Sequence, residues 1–93
     1  MTSDITRWKR MAGVVQAEMA PGQTALLSLN TGQYHALNET GTRVWALLEQ
    51  PCACDEMCAV LCSEYAIDAR RCADEVSAYL QILLGAGLIE TVV

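Results

Sequence analysis

The sequence predicts a single α+β domain, a small antiparallel sheet followed by three helices. Short β-prone runs separated by turn residues fill the chain to about residue 37, and apolar residues at helical spacing fill the rest. With 93 residues there is room for one compact domain and not for two.

Val14-Val15-Gln16-Ala17-Glu18 is the first strand candidate, and Pro21-Gly22 punctuates it as a turn. Thr24-Ala25-Leu26-Leu27-Ser28-Leu29 is the second, with Leu27 and Leu29 on one face. Asn30-Thr31-Gly32 reads as a hairpin connection, its glycine available for positive φ. Gln33-Tyr34-His35-Ala36-Leu37 makes the third strand of a meander, whose first and third strands are both edges. Residues 1–12 carry no such signal and are expected to be flexible.

Helical periodicity begins after Asn38, a suitable N-cap. Val44, Trp45, Leu47 and Leu48 form an apolar stripe on the first helix, which Pro51 should stop. The second starts near Asp55 and places Met57, Cys58, Leu61 and Tyr65 on one face. Asp68 caps the third, which runs to about Gly85; Cys72, Ala73, Val76, Tyr79, Leu80, Leu83 and Leu84 share its core face. Leu88 and Ile89 add a closing extended segment. A meander followed by three helices is the make-up of a winged helix-turn-helix fold in which the sheet comes first.

Composition excludes several functions. At 53% hydrophobic and a mean hydropathy of +0.22, the chain has ample apolar surface to offset its entropy, which excludes a disordered tail. A net charge of -5 and a pI near 4.6 repel phosphate backbones and point away from nucleic acid. No long apolar run follows the basic N-terminus, and the longest, Met57 to Cys62, is far too short to span a bilayer. Five cysteines, an odd number without an export signal, argue against a disulfide framework and for a reducing cytoplasm.

Catalysis has little to draw on. His35 is the single histidine, and no spacing brings a cysteine to it as a nucleophile. Cys54, Cys58 and Cys62 climb one side of a helix, but no second cysteine knuckle or histidine pair completes a zinc site, so packing is the expected role and neither metal nor cofactor is expected. A metal–thiolate module remains an alternative. A DNA-binding regulator is another, although Arg70 and Arg71 are followed one turn later by Asp74 and Glu75, which would meet phosphates. Peptide binding fits better. The third strand can accept a guest strand. Arg71, Glu75, Ala78 and Ile82 flank Tyr79 at i, i+4, i+7 and i+11, a shallow trough with one charge of each sign.

Leu29-Asn30-Thr31-Gly32-Gln33-Tyr34-His35-Ala36-Leu37-Asn38-Glu39-Thr40-Gly41 resembles the PqqD-like family, and Val44-Trp45-Ala46-Leu47-Leu48 is similar to the aliphatic-Trp helix of that family. The likeness continues through Pro51, Leu61, Glu64-Tyr65 and Asp68 to Tyr79-Leu80-Gln81-Ile82-Leu83 and Gly87-Leu88-Ile89, about Val14 to Glu90 in all. The resemblance implies a recognition element for ribosomally made, post-translationally modified peptides, one that is not an enzyme. It would bind the leader of a precursor as an added strand on the third strand, against the third helix, and deliver it to a partner. Within the family the Leu-Ser-Leu-Asn-Thr-Gly-Gln-Tyr stretch looks closer to stand-alone lasso-peptide recognition proteins. The partner would then be a leader peptidase, and otherwise a radical SAM enzyme. Carried over by resemblance, Gln33, Tyr34, His35, Ala36 and Leu37 would pair with the leader, while Arg71, Glu75, Ala78, Tyr79 and Ile82 would line the helical wall. A homodimer by strand exchange is compatible with so small an edge-bearing fold. Ala53 departs from the Ser or Thr that often caps the second helix of the family, which leaves that boundary open.

Overall fold

The computed structural model describes residues 6–92. Nine elements follow in order: β1 (Arg7–Arg10), β2 (Val14–Ala20), β3 (Gln23–Ser28), β4 (Tyr34–Leu37), α1 (Glu39–Leu47), β5 (Cys52–Ala53), α2 (Cys54–Tyr65), α3 (Ala69–Gly85) and β6 (Ile89–Val92). They form two three-stranded antiparallel sheets, β2-β3-β4 and β5-β1-β6.

The first sheet is the expected meander. Pro21-Gly22 turns β2 into β3, with Ala20 opposite Gln23 and Gly22 at φ +76. Gly32, at φ +75, closes the second hairpin, its N–H donating to Ser28 O at 2.7 Å. Gln33 belongs to this turn and not to the strand: its N–H donates to Thr31 Oγ1 at 3.3 Å.

The second sheet departs from expectation. Within the stretch expected to be flexible, Arg7–Arg10 is a strand lying between β5 and β6; residues 1–5 lie outside the described residues. The strand is anchored by side chains. Trp8 packs against the core, and Arg10 stacks over the Trp45 ring at 4.5 Å and donates to Trp45 O at 2.6 and 3.2 Å. Arg7 reaches Glu56 at 3.4 Å and Lys9 reaches Glu90 at 3.9 Å. The basic N-terminal patch is therefore spent on internal contacts.

Asn38 caps α1 as expected, accepting from Gly41 N–H at 2.9 Å. The helix ends at Leu47, four residues short of Pro51, where the Leu48 N–H shares Val44 O and Trp45 O in a tightened last turn. Helix α2 begins at Cys54, one residue before Asp55. Ala53 caps it without a side-chain bond, and Glu56 Oε1 accepts from Ala53 N–H at 2.8 Å. Asp68 caps α3, accepting from Arg71 N–H at 3.1 Å.

The core lies between the helices and the inner faces of the sheets. Leu26, Val44, Trp45, Leu48, Met57, Leu61, Val76, Leu80, Leu83, Leu88 and Ile89 are buried. Two residues expected on core faces are not: Leu84 is 38% exposed and Tyr65 is 43% exposed. Each sits at the margin of its helical stripe, where a drift of about 100° per residue turns a side chain out.

Candidate functional site: an open strand edge beside a helix

The hydrogen-bond phase of the meander decides which backbone groups of β4 are free. Ser28 N–H donates to Gln33 O at 3.0 Å, while Leu29 N–H donates to Gly13 O at 2.8 Å. Ser28, the last residue of β3, and Leu29 just beyond it thus point their N–H groups to opposite sides. The register Leu26–His35 and Thr24–Leu37 then turns the N–H and C=O of His35 and Leu37 toward β3. Those of Tyr34 and Ala36 point outward, where β4 is the last strand of its sheet. The far end of this ladder is held by Thr42, whose Oγ1 accepts from Thr24 N–H at 3.1 Å and donates to Leu37 O at 3.4 Å.

Side chains alternate across the same strand. Tyr34 and Ala36 face solvent, Tyr34 at 73% exposure, whereas Leu37 is buried at 6% and belongs to the core. His35 is half-buried on the core-facing side, and its Nε2 is enclosed with no hydrogen-bond partner among the described residues.

Helix α3 is tied to the end of β4. The Tyr79 hydroxyl donates to Asn38 Oδ1, and the Tyr79 ring lies over Gly41, where a Cβ would sit 2.7 Å from Cε1. A side chain at position 41 would push the helix away. Sequence reasoning missed Gly41 and Thr42 as site-builders; the glycine in the first turn of a helix, where alanine is the better helix former, was the available signal.

Around this joint the α3 stripe divides. Ile82, at 62% exposure, and Ala78 stand exposed. Arg71 and Glu75, expected to present opposite charges to a ligand, bond to each other at 3.0 Å. They also line a half-open cavity of about 230 Å³ with Glu39, Thr40, Leu61, Tyr65, Ile67, Cys72 and Val76, at the junction of α1, α2 and α3. Glu39, Thr40 and Ile67 come to this cavity only through tertiary packing.

Cys54, Cys58 and Cys62 on α2 and Cys72 on α3 follow the seam between the two helices, Cys72 also lining the cavity, and Cys52 lies on β5. Burial, then the electrostatic effect of neighbouring Cys54 and a hydrogen bond with Cys72, push the Cys58 thiol up to about 12. Burial likewise raises Cys52 and Cys62. Among the described residues no group of three or more His, Cys, Asp or Glu side chains is arranged to hold a metal ion. No helix among them is long and apolar enough to cross a membrane.

The frame and the free edge together define the class: a small winged helix-turn-helix domain with an open strand margin beside its third helix. The chain belongs to the coenzyme PQQ synthesis protein D (PqqD) family, whose model matches residues 23–89. Among solved structures it is similar to TbiB1 in complex with the TbiA(beta) leader peptide, with 32% identity and a TM-score of 0.80 over 88% of this chain and 94% of that one. It also shares the fold of lasso peptide synthetase B1 complexed with the leader peptide, with 19% identity and a TM-score of 0.77 over 89% of this chain and 96% of that one. No curated protein matches the chain.

Proposed function

We propose that this domain binds the leader of a ribosomally made precursor peptide as a strand added to β4 and carries it to a separate enzyme in lasso-peptide biosynthesis. The observation that carries the reading is the outward-pointing backbone of Tyr34 and Ala36 on β4, the edge strand of its sheet among the described residues. A structure 32% identical to this chain was solved with a leader peptide bound. Recognition elements of this family are in general binding proteins and not catalysts, and the single histidine, His35 on β4, together with thiols raised by burial on α2, suits that role.

Magnitudes show what else the site must supply. Two residues offer four backbone groups, which at about 0.5–1.5 kcal/mol each contribute roughly 2–6 kcal/mol. Micromolar affinity needs about 8 kcal/mol after the cost of association. Side-chain contacts must make up the difference. Ile82 and Ala78 are the exposed apolar groups on the α3 wall, and the cavity rimmed by Arg71 and Glu75 suits a buried apolar side chain of the leader. Gln33, Tyr34, His35, Ala36 and Tyr79 complete the surface in this reading. Leu37 contributes through the backbone ladder alone, because its side chain is in the core. Tethering the precursor in this way raises its local concentration at the enzyme, either a leader peptidase or a radical SAM enzyme. The five free cysteines suit a reducing cytoplasm.

The test is a titration with the fluorescently labelled leader of a cognate lasso-peptide precursor. Ala36→Pro removes an outward donor and leaves the β3–β4 ladder intact, and Ile82→Asp puts a charge on the wall. Each should weaken binding at least tenfold with an unchanged circular dichroism spectrum. Wild-type affinity in both variants would overturn the assignment.

A further inference from the structure

The five cysteines of this 93-residue chain have no part in strand addition, yet four of them converge where α2 meets α3. Cys54, Cys58 and Cys62 present half-buried thiols from α2, and Cys72 faces them, buried, from α3. The Cys72 thiol lies between two of the others. It hydrogen-bonds with the Cys58 and Cys62 thiols, and its Sγ approaches Cys58 O at 4.0 Å. On one side, Cys58 and Cys62 open onto a shallow groove of about 350 Å³ walled by Ala59, Ala69 and Ala73. On the other, Cys72 lines the cavity that Arg71 and Glu75 rim. One side chain therefore belongs both to a cluster of thiols and to the wall of the candidate leader site.

We propose that hydrogen peroxide joins Cys62 and Cys72 in a reversible disulfide, and that this bond narrows the cavity and releases the leader. The consequence for the leader rests on the leader-binding reading above. Cys62 is the point of entry: it lines the open groove with Cys72 as its thiol partner, whereas Cys58 is shared between Cys54 and Cys72. In the first step the O–O bond of the peroxide breaks, an S–O bond forms at Cys62, and water leaves. The Cys72 sulfur then attacks the sulfenic acid. An S–S bond forms, the S–O bond breaks, and the departing hydroxide takes the Cys72 proton as a second water. The two thiols lose two electrons and the peroxide gains them. Burial raises the Cys62 thiol, so the first step is slow at neutral pH and the bond records sustained oxidant. Bonded sulfurs stand about 2.05 Å apart, well inside thiol hydrogen-bonding distance. Closure therefore draws the start of α3 toward α2, and the cavity walls at Leu61 and Tyr65 approach those at Arg71 and Val76. A small dithiol reverses the bond by exchange.

The experiment treats the full chain with hydrogen peroxide, quenches with catalase, and maps the link before any leader is added. Cleavage after Arg71 separates Cys72 from the other four thiols, so the bond joins two tryptic peptides that dithiothreitol parts. Cys62→Ser should abolish that link and Cys58→Ser should keep it, with Cys62→Ala as the second variant if serine unsettles the seam. Titration with the labelled leader should then show binding at least fivefold weaker for oxidised wild type. Dithiothreitol should restore it, and oxidation of Cys62→Ser should change nothing. Dithiothreitol leaves methionine sulfoxide in place, so recovery assigns the loss to the disulfide. Absence of the link overturns the proposal, as does a link that persists in both Cys62 variants. A Cys62–Cys72 link that leaves leader affinity unchanged overturns it as well. Reduced wild type that fails to bind leader sinks the earlier reading instead, and the titration before oxidation shows it.

Discussion

Asn38 serves two elements through one oxygen: its Oδ1 accepts from Gly41 N–H to start α1 and from the Tyr79 hydroxyl to hold α3. Gly41 makes that approach possible, since a Cβ there would meet Cε1 at 2.7 Å and Cζ at 3.1 Å of a rigid ring. Alanine would favour the helix by up to about 1 kcal/mol, but overpacking costs about 1–3 kcal/mol. Gly41→Ala is therefore expected to lower the urea midpoint, and the loss should shrink when Tyr79→Leu is added. An additive pair in that double-mutant cycle would show that ring and backbone do not meet. Tyr79 is thus a poor probe of leader binding, and Ile82, with no partner to hold, is the better one.

At the scale of elements, the seam between α2 and α3 has a pH signature. A thiol ordinarily ionises near 9.0, and Cys58 is pushed up to about 12 by burial and its cysteine neighbours. The folded chain thus keeps a proton that the unfolded chain gives up. The associated stability is fully present below about pH 9 and is lost as pH rises toward 12. Denaturant midpoints measured from pH 8 to 11 should fall, and should fall less steeply in Cys58→Ala. Equal slopes would mean that the seam leaves this thiol in water. A thiol held protonated is neither a ready nucleophile nor a ready metal ligand, which suits a packing role for Cys58.

Across the whole molecule the N-terminal strand closes the fold. β1 lies between β5 and β6, so it links the residues before α2 to those after α3. Deleting residues 1–10 removes the half-buried Trp8 and the Arg10 stack, and leaves β5 and β6 without a common neighbour. A loss of roughly 2–4 kcal/mol in unfolding free energy is expected from one partly buried indole and several cross-strand bonds. Guanidinium titration of the truncated chain measures it, and an unchanged midpoint would make β1 an ornament.

The meander, the three helices and two of their caps were legible in the sequence because their causes are local. Pro21-Gly22 and Gly32 mark turns, Asn38 and Asp68 offer acceptors to nearby N–H groups, and the α3 stripe repeats at 3.6 residues. β4 as an edge followed from the same turns. Tertiary structure alone decided the rest, because it depends on partners distant in the chain. Arg7–Arg10 is a strand only because Ile89–Val92 and Cys52–Ala53 lie beside it. Arg71 and Glu75 lie within bonding distance on one helix, but their cavity needs Glu39, Thr40 and Ile67 from elsewhere. Which backbone groups of β4 face outward is set by the hydrogen-bond phase with β3, and no residue type encodes that phase.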